Sequence, residues 1–299
     1  SAVRVETGGY VEWTFSADKS GVYEIGLSYL ASAGKGQKPQ ITLTFDGSVP
    51  YTEASHYELS RVYRDAGPIE KNAKGDDLIP EQVEVERWQD RPLLDTAGLS
   101  GRNLCLYLEE GAHTLRLACE SESLYVRSLS LFPGTTVSSD AEKAASYQQN
   151  GYQSVEGFLK IYQAEKTLEK SDVVLYPTYD RTSPATIPYD PVRIRRNTIG
   201  KGNWSEPGMW ISYLIDDIPS DGLYYITFKF RQADAIGVTT FRNVYVNGSI
   251  PSKAYENVSF PYGVDWNQKT VVDENGEPCP VYLTAGENEL LMEVSLGPY

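Results

Sequence analysis

A turn of the same type occurs twice in this chain, 201 residues apart. The first copy reads DGSVP at 46–50 and the second reads NGSIP at 247–251. Gly47 of the first copy lies 26 residues after Gly21, and the same interval separates the corresponding glycines of the second copy. The residues in between align without a gap, and apolar side chains alternate with polar ones in both segments. A spacing that is kept over a whole segment indicates an internal duplication.

A second pair of matching segments follows the first in the same order. YLEEGAHTLRL at 107–117 matches YLTAGENELLM at 282–292 at an offset of 175, and upstream GGYVEWTF at 8–15 resembles PGMWISYL at 207–214. The drop in offset from 201 to 175 means that the first copy holds 26 more residues between its segments. These extra residues fall in the polar stretch 64–92. The sequence therefore predicts two modules of one fold, the first with an insertion.

The repeated segments have the pattern of β-strands. Apolar and polar residues alternate, β-branched and aromatic residues are abundant, and Gly, Pro, Asn and Asp interrupt the pattern at short intervals. EEGA and TAGE are typical of hairpin turns, and the glycines of the two D/N-G-S turns tolerate positive φ. Only SSDAEKAASYQQNGY at 138–152 has a helical pattern, with a Ser/Asp start and Gly151 as its end. We expect an all-β protein of two tandem jelly-roll β-sandwiches joined by a short helical connector.

The module boundaries follow from the position of the helical stretch. We expect the first sandwich over 1–133, the helical linker over 134–157 and the second sandwich over 158–299. FLKIYQAEKTLEK at 158–170 is predicted to be the first strand of the second module. The first module has no counterpart before Ser1, so we expect its first strand to be missing.

Charge and hydropathy exclude two classes of partner. The chain has 41 Asp and Glu residues against 27 Lys and Arg residues, which gives a net charge of −14. A nucleic-acid partner requires a basic surface and is therefore not expected. No apolar run reaches the roughly 20 residues of a membrane-spanning helix, so no direct membrane span is expected.

The three cysteines are expected to be structural. Alternation places Cys105 and Cys119 on opposite faces of the predicted hairpin, so a disulfide between them is not expected. We expect at least two of the three, which include Cys279, to be buried as small apolar residues.

The sequence offers little support for catalysis. His56 and His113 are the only histidines, and no nucleophile, zinc-hydrolase or phosphate-loop motif is present. A glycosidase needs two carboxylates across a cleft, whereas the acids at 75–77 and 216–217 have the pattern of solvated loops. We therefore expect no enzymatic activity, and a glycoside-active enzyme is the third of three hypotheses.

Aromatic residues and arginines concentrate in the long loops. The longest loop, 176–208, contains many prolines, and loops beyond about 12–15 residues are usually functional or disordered. Aromatic rings pack on the C–H face of a sugar while polar neighbours bind its hydroxyls. The candidate ligand-binding residues are Arg61, Tyr63, Trp88, Tyr179, Asp180, Arg181, Arg195, Asn197, Trp204, Tyr262 and Trp266. Two alternatives remain: the tryptophans fasten the loops to the sandwich, and the arginines of RIRR at 193–196 form a solvated or salt-bridged face instead of binding an acidic sugar.

The order of motifs resembles a known family. In the first module the order is G-x-x-x-W, S-G-x-Y-x-I, D-G-x-x-P, R-x-Y, D-L-x-P-x-Q and W-Q. The second module has Y-D-R-x-S-P-A-T-x-P-Y-x-P-x-x-I-R-x-N-T-I-G, then N-W, P-G-x-W-I and F-P-Y with D-W. Together they resemble the tandem galactose-binding-like region at the N-terminus of certain bacterial extracellular solute-binding proteins, over nearly the whole chain.

The resemblance implies both a fold and a setting. It implies jelly-roll sandwiches like carbohydrate-binding modules of families 6 and 35, extracellular location, and tethering to a Gram-positive cell surface. Members of those families often hold a structural calcium through a Glu on the first strand and an Asp near the last strand. Glu165 matches the first position, whereas Arg127 and Ser128 stand where the first module would need the Asp. No other cofactor is expected.

Three hypotheses for function follow. The leading one is a non-catalytic extracellular region that binds an oligo- or polysaccharide for an attached transporter receptor or hydrolase in a longer polypeptide. The second is a structural spacer or protein-interaction module, in which the loop tryptophans are buried with no groove beside them. The third is the glycoside-active enzyme, which requires two facing carboxylates.

Overall fold

The computed structural model of the chain describes residues 2–34, 36–98, 103–134 and 136–298. Strands dominate in these residues, which confirms the all-β class. The strands of the first half are β1 (Val3–Val5), β2 (Tyr10–Ala17), β3 (Gly21–Ala31), β4 (Gln40–Phe45), β5 (Tyr57–Glu58), β6 (Tyr63–Asp65), β7 (Gln82–Glu84), β8 (Gln89–Pro92), β9 (Cys105–Leu108), β10 (Gly111–Ser121) and β11 (Leu124–Pro133). The remaining strands are β12 (Glu169–Lys170), β13 (Trp210–Ile218), β14 (Gly222–Tyr224), β15 (Thr227–Phe230), β16 (Thr240–Val246), β17 (Val258–Phe260), β18 (Asn267–Thr270), β19 (Val281–Leu283) and β20 (Gly286–Ser295). The helical elements are α1 (Asp140–Gln149) and short 3₁₀ turns at Thr52–Ala54, Lys201–Asn203 and Lys253–Tyr255.

The chain divides into two compact units. The first unit contains Ser1–Val62 and Glu84–Thr136, and the second contains Tyr63–Val83 and Val137–Tyr299. This division differs from the sequence-based boundaries in two places. The linker expected over 134–157 is divided between the units after Thr136, and residues 63–83 belong to the second unit although the sequence places them in the first module. Buried charged contacts within the second unit, described below, explain this placement. The number of tandem jelly rolls stays a prediction.

The first unit is a sandwich of two antiparallel sheets. One sheet has the strand order β1-β11-β3-β8, with β9 also paired to β3, and the other has the order β2-β10-β4-β5. Ile25 and Leu27 of the first sheet and Leu43 and Leu115 of the second are buried in one apolar core. Since side chains alternate along a strand, the residue between Ile25 and Leu27, which is Gly26, lies on the opposite face of β3.

The prediction of a hairpin turn at EEGA is wrong. Strand β9 pairs with β3, whereas β10 pairs with β2 and β4, so the chain passes from one sheet to the other at Gly111. The same change of sheet occurs at Gly286, since β19 pairs with β14 and β20 pairs with β13 and β16. Both glycines have positive φ, 136° and 88°. Alternation identifies a strand but does not identify its partner.

The second unit is built around a seven-stranded sheet. Its order is β17-β16-β20-β13-β12-β6-β7, and two further pairs, β14-β19 and β15-β18, complete the strands. Val244, Met292 and Ile211 of the large sheet share a buried core with Val281 and Val271. Strand β6 and the first two residues of β7 come from the 63–83 segment.

The two D/N-G-S turns have the same conformation. Asp46 and Gly47 have φ of 44° and 81°, and Asn247 and Gly248 have φ of 49° and 84°. Two successive residues with positive φ are characteristic of a type I′ turn, which is why Asn, Asp and Gly occupy these positions. A 3₁₀ turn follows each copy, at Thr52–Ala54 and Lys253–Tyr255. The two segments therefore share their local conformation, and the duplication of the whole module stays a prediction.

The helix expected in the 138–152 stretch is confirmed. Ser139 accepts a hydrogen bond from the Glu142 backbone while the Glu142 side chain binds the Ser139 backbone, which is a capping box. The helix ends before Gly151, whose φ is 71°. No helix in the described part of the chain is both long and apolar enough to cross a membrane.

The strand predicted over 158–170 is wrong except for its last two residues. Only Glu169–Lys170 forms a ladder, with β13 and β6. Upstream, Lys160 binds the Asp216 carboxylate at 2.6 Å, and the Tyr162 hydroxyl donates to the Asp216 carbonyl at 2.6 Å. Side chains rather than a backbone ladder hold this stretch, so its alternation does not lead to a strand.

All three cysteines are free, and at least two are buried, as the sequence predicts. Cys119 and Cys279 are buried and Cys105 is partly buried. Burial raises the pKa of the Cys119 thiol to about 11, so this side chain is an uncharged apolar residue at neutral pH.

Candidate functional site

The predicted ligand residues are spread over both units. Arg61 and Trp88 belong to the first unit, and the other candidates belong to the second. The structure brings several of the latter together around Asp180, but most of them bind protein groups. Their role in ligand binding stays a prediction.

Arg61 is used inside the first unit. Its side chain is fully buried and forms ion pairs with Glu84 and, at 3.2 Å, with Glu122. Its Nε and Nη1 atoms also donate to the carbonyls of Gln37 at 2.6 Å and Ser32 at 2.9 Å. These contacts satisfy a buried guanidinium in the way such a charge requires. Arg61 therefore fixes neighbouring loops and has no exposed surface for a ligand.

A shallow pocket lies on the five-stranded sheet of the first unit. Its volume is about 230 Å³. It is formed by β3, β8 and β11, and its lining residues are Gly26, Leu27, Ser28, Asp90, Arg91, Pro92, Ser128, Ser130 and Phe132. The pocket exists because Gly26 and the three serines have small side chains, which leave space above the sheet. Phe132 supplies an aromatic ring and Asp90 supplies a negative charge. Arg91 pairs with Leu27 in the ladder, so its side chain lies on the core face of the sheet and its carbonyl borders the pocket.

The Ser28 hydroxyl distinguishes this pocket chemically. Ser28 is 5% exposed, and its Oγ atom has no hydrogen-bond partner among the described residues. A buried hydroxyl without a partner costs about 1–3 kcal/mol.

Trp88 lies two residues before the pocket residue Asp90. The guanidinium carbon of Arg127 is 4.0 Å from the centroid of the Trp88 ring. Arg127 itself directly precedes the pocket residue Ser128. The stacked arginine holds the indole in place. Trp88 is therefore a partly buried aromatic residue that is close in sequence to the pocket residues.

Asp180 organises the long loop of the second unit. It is 4% exposed, and its carboxylate accepts hydrogen bonds from the hydroxyls of Thr182 at 2.7 Å and Thr186 at 3.0 Å. Arg231 forms an ion pair with it at 3.0 Å. Burial alone would raise the pKa of Asp180, but these hydrogen bonds and the charge of Arg231 outweigh it and lower the pKa.

Asn197 closes the same loop. Its Oδ1 accepts from the Asp180 backbone N–H at 2.8 Å, and its Nδ2 donates to the carbonyls of Asp180 at 3.0 Å and Pro188 at 2.7 Å. All three bonds are to the backbone. Asn197 therefore fixes the loop shape and has no free polar atom of the side chain for a ligand.

Arg195 joins the loop to the 63–83 segment. Its guanidinium binds Asp190 at 2.9 Å, Asp77 at 3.2 Å and the Gly75 carbonyl at 2.8 Å. The Asp77 carboxylate also accepts from the Arg196 backbone N–H at 3.0 Å. The arginines of the RIRR run are therefore in part salt-bridged, which is one of the alternatives that the sequence left open.

The two loop tryptophans of the second unit both donate hydrogen bonds to the protein. The Trp204 Nε1 donates to the Met209 carbonyl at 3.1 Å, and Arg242 stacks at 4.4 Å from the ring centroid. The Trp266 Nε1 donates to the Thr186 hydroxyl at 2.9 Å. Each ring stays partly exposed.

Among the tyrosine candidates, exposure separates two groups. Tyr63 is buried in the second unit, at 7% exposure, whereas Tyr179 and Tyr262 are each 37% exposed. Arg181, Arg196 and Lys201 surround the Tyr179 ring. This cationic cluster is treated separately below.

Glu165 does not have the surroundings of a calcium site. Its side chain is 4% exposed, and burial raises the pKa of its carboxyl group. Calcium takes six to eight oxygen ligands, usually several carboxylates. The described residues contain no cluster of three or more Asp, Glu, His or Cys side chains suited to a metal. The residues around Glu165 therefore do not fit the calcium that the resemblance implies.

Sequence reasoning missed the pocket residues and two cations. Ser28, Asp90 and Phe132 lie in ordinary alternating strands, and Lys229 and Arg231 lie near β15, away from the predicted loops. One signal was available in the sequence. Small residues occupy the outward positions of the neighbouring strands β3 and β11, which leaves space above the sheet.

No family model matches the chain, and no curated protein matches it. Several solved structures are similar to it. A Podospora anserina GH26-CBM35 β-(1,4)-mannanase is 21% identical over 46% of this chain and 24% of its own length, with a TM-score of 0.30. The CBM22-1–CBM22-2 tandem of Paenibacillus barcinonensis Xyn10C is 11% identical over 95% of this chain and 75% of its own, with a TM-score of 0.20. A Paenibacillus xanthan lyase is 11% identical over 98% of this chain and 22% of its own, with a TM-score of 0.24.

The chain thus spans about a quarter of the length of the mannanase. Its structural neighbours include carbohydrate-binding modules of families 35 and 22. At these TM-scores the likeness carries no argument about a ligand, which has to come from the sites themselves.

Proposed function

We propose that the chain is a non-catalytic carbohydrate-binding region and that its first unit binds a neutral oligosaccharide in the pocket on the five-stranded sheet. The observation that supports this is the unpartnered, buried hydroxyl of Ser28 in a pocket that also contains an aromatic ring. A saccharide presents both complementary features, hydroxyls and an apolar C–H face.

The shape of the floor suits a flat ring. Gly26 lies so close to β11 that an added Cβ would meet the Ser130 Oγ at 2.6 Å and the Phe132 ring at 3.1 Å. The Ser130 and Phe132 side chains therefore cover Gly26, and a sugar in the pocket would pack on the Phe132 ring. Asp90, which lies on the same face as Ser28, accepts from sugar hydroxyls.

The non-catalytic assignment is part of the proposal. Of the described residues that line the pocket, Asp90 is the only acid. Hydrolysis of a glycosidic bond by the usual mechanism needs a second carboxylate about 5–9.5 Å from the first. Binding without bond cleavage is therefore the function that the pocket supports best.

The setting rests on the resemblance of the sequence alone. We propose an extracellular region of a longer polypeptide on a Gram-positive cell surface, which captures glycan for a sugar-transport solute-binding receptor or for a hydrolase. An attached polypeptide with either activity is part of the same proposal.

Titration calorimetry of the full chain tests the binding. The ligands are neutral oligosaccharides of mannan, xylan, galactan and glucan, up to millimolar concentration. We expect at least one to bind, and Asp90→Ala and Phe132→Ala to weaken it at least tenfold. Tyr107→Ala, an exposed aromatic residue of the same unit outside the pocket, is the matched control and should leave affinity unchanged. If no neutral glycan binds, the proposal fails.

A structural or protein-interaction module remains the second candidate. The observation that favours it is the inward use of Arg61, Arg195 and Trp204, which bind protein groups rather than lining a groove. If the chain is such a module, Phe132→Ala has no effect in the titrations with glycans.

A further inference from the structure

Three cations surround one partly exposed ring in the second unit. The charged groups of Lys201, Arg181 and Arg196 lie 5.1, 5.6 and 5.7 Å from the centroid of Tyr179. Tyr179 is 37% exposed, and Arg181 and Lys201 are exposed as well. Cation–π contacts at an exposed site are weak, so they offset only part of the repulsion among three like charges.

None of the three cations forms an ion pair with a carboxylate in the part of the chain that the structure describes. Lys201 donates to the Tyr179 carbonyl at 2.5 Å, and Arg181 donates to the Val192 carbonyl at 3.3 Å. The Nε of Arg196 is buried without an acceptor among the described residues. Neutral carbonyls orient Lys201 and Arg181 but do not compensate their charge. In a chain of net charge −14, where acids are abundant, this is an unusual concentration of positive charge.

The backbone at Lys201 also carries strain. Its φ is 47°, in the left-handed region that glycine and asparagine adopt far more readily than lysine. Such outliers are energetically costly and cluster at functional sites. The strained position places the Lys201 ammonium beside the Tyr179 ring.

A second aromatic ring adjoins this cluster through Asp180. Arg231, which pairs with Asp180, lies 5.9 Å from the centroid of Trp266, and Lys229 lies 5.5 Å from it. The Trp266 indole is linked to the same loop through Thr186. Two partly exposed aromatic rings with neighbouring cations therefore lie on one continuous, internally bonded part of the second unit.

We infer that this surface, centred on Tyr179 and formed by Arg181, Arg196 and Lys201, binds an anionic saccharide. The anionic group neutralises the three cations, and the guanidinium groups can bind its oxygens pairwise. The exposed aromatic rings accept the C–H faces of sugars, which an acidic peptide does not offer. The site is separate from the neutral pocket of the first unit and does not depend on it.

Calorimetry on the full chain with matched charged and neutral probes tests the inference. The carboxylate pair is trigalacturonate and its fully methyl-esterified form, and the sulfate pair is dextran sulfate and dextran. Poly-L-glutamate tests for an acidic peptide. We expect a charged saccharide to bind at least tenfold more tightly than its neutral form, and the binding to weaken about tenfold between 20 and 300 mM salt because of screening. Which pair shows the difference identifies the anionic group.

The variants are chosen to preserve the fold. Arg181→Gln changes an exposed side chain, and Lys201→Asn removes the charge while suiting the left-handed backbone. The double variant should lose at least tenfold in affinity for the charged saccharide. Arg64→Gln, an exposed arginine of the same unit, is the matched control and should lose nothing.

Several results would overturn the inference. Equal affinity for charged and neutral probes would do so, as would unchanged binding in the double variant or binding that is insensitive to salt in the wild type. Binding of poly-L-glutamate as tight as that of the saccharides would overturn the saccharide assignment. Asp90→Ala should leave charged-saccharide binding intact, so failure of this site and failure of the neutral pocket are distinguishable.

Discussion

The ammonium of Lys170 donates a 2.6 Å hydrogen bond to the carboxylate of Asp65, a residue 105 positions earlier in the chain. The Lys170 side chain is fully buried, and its second bond goes to the Gln82 Oε1 at 2.5 Å. Burial lowers the pKa of Lys170 although the carboxylate opposes this. A buried lysine with partners on both β6 and β7 explains why the 63–83 segment belongs to the second unit.

Removing the ammonium should be strongly destabilising. Lys170→Met leaves Asp65 mostly buried without its partner, and breaking a buried pair on one side costs about 3–5 kcal/mol. Urea unfolding of the full chain measures this loss. Lys253→Met, which removes an ammonium that is 53% exposed from its pair with Glu256, is the control and should cost less than about 1 kcal/mol. Equal losses of unfolding free energy in the two variants would show that the buried pair does not hold the 63–83 segment in the second unit.

Gly222 and Gly21 occupy corresponding positions in the two repeats but meet different neighbours. A Cβ at Gly222 would lie 2.5 Å from the Val155 side chain and 2.9 Å from the Gln153 carbonyl, whereas a Cβ at Gly21 would meet only the Tyr23 ring at 3.7 Å. The chain at 153–155 is hydrogen-bonded against β14, so it cannot easily move away.

The two alanine variants should therefore change the free energy of unfolding by different amounts or in opposite directions. Gly222→Ala should cost about 1–3 kcal/mol through overpacking. Gly21→Ala should be neutral or slightly stabilising, because alanine lowers the entropy of the unfolded chain. Thermal and urea unfolding of the pair gives the comparison, and similar effects at the two sites would contradict the packing difference.

His113 makes stability depend on pH. Its ring bonds the Glu109 carbonyl and the Asp46 carboxylate, each at 2.7 Å, and these two contacts raise the pKa of His113 above 6.5. A group with a raised pKa in the folded state stabilises fully below its unfolded pKa, and this contribution is lost as the pH rises through the folded value. We expect a lower unfolding temperature at pH 8 than at pH 6.

His113→Gln separates this contribution from the rest of the chain. Its unfolding temperature should change less between pH 6 and pH 8 than that of the wild type. Titration of the His113 ring by NMR should give a midpoint above 6.5. An equal pH response in wild type and variant would remove His113 from the explanation.

The sequence predicts local features of this fold well because they depend on near neighbours. The left-handed Asn247-Gly248 turn, the capped helix and the alternating strands each follow from a few adjacent residues. Strand partners do not, and the hairpin predicted around Gly111 is wrong because β9 pairs with β3. The 63–83 segment shows the same limit, since its assignment depends on contacts with Lys170.

The candidate sites show the limit more strongly. Aromatic residues and arginines drew attention to the 176–208 loop, which indeed contains Tyr179 and its cations. The same reasoning could not separate exposed Arg181 from Arg195, whose guanidinium is consumed by Asp77 and Asp190. The pocket of the first unit depends on small side chains on three paired strands, and a single strand gives no indication of it.

Asp180 should control the order of the long loop in the second unit. Asp180→Asn keeps the size of the side chain but removes the charge that pairs with Arg231 at 3.0 Å. Hydrogen bonds to a charged group are worth about 1.5–3 kcal/mol, so we expect a loss of about 2 kcal/mol. Because the pKa of Asp180 is lowered in the folded state, its contribution is present at neutral pH and is lost as the pH falls below 3.8 through the folded pKa.

Limited trypsin proteolysis detects the local consequence. With Asp180→Asn, the loop should open more often, so cleavage after Arg181 and Arg193 should become faster well below the unfolding temperature. Asp234→Asn, an exposed acid of the same unit, is the matched control and should leave the cleavage rate unchanged. A loss of global stability without faster cleavage in the loop would show that Asp180 acts on the unit as a whole. Faster cleavage with little global change would show that it fixes the loop on which Tyr179 lies.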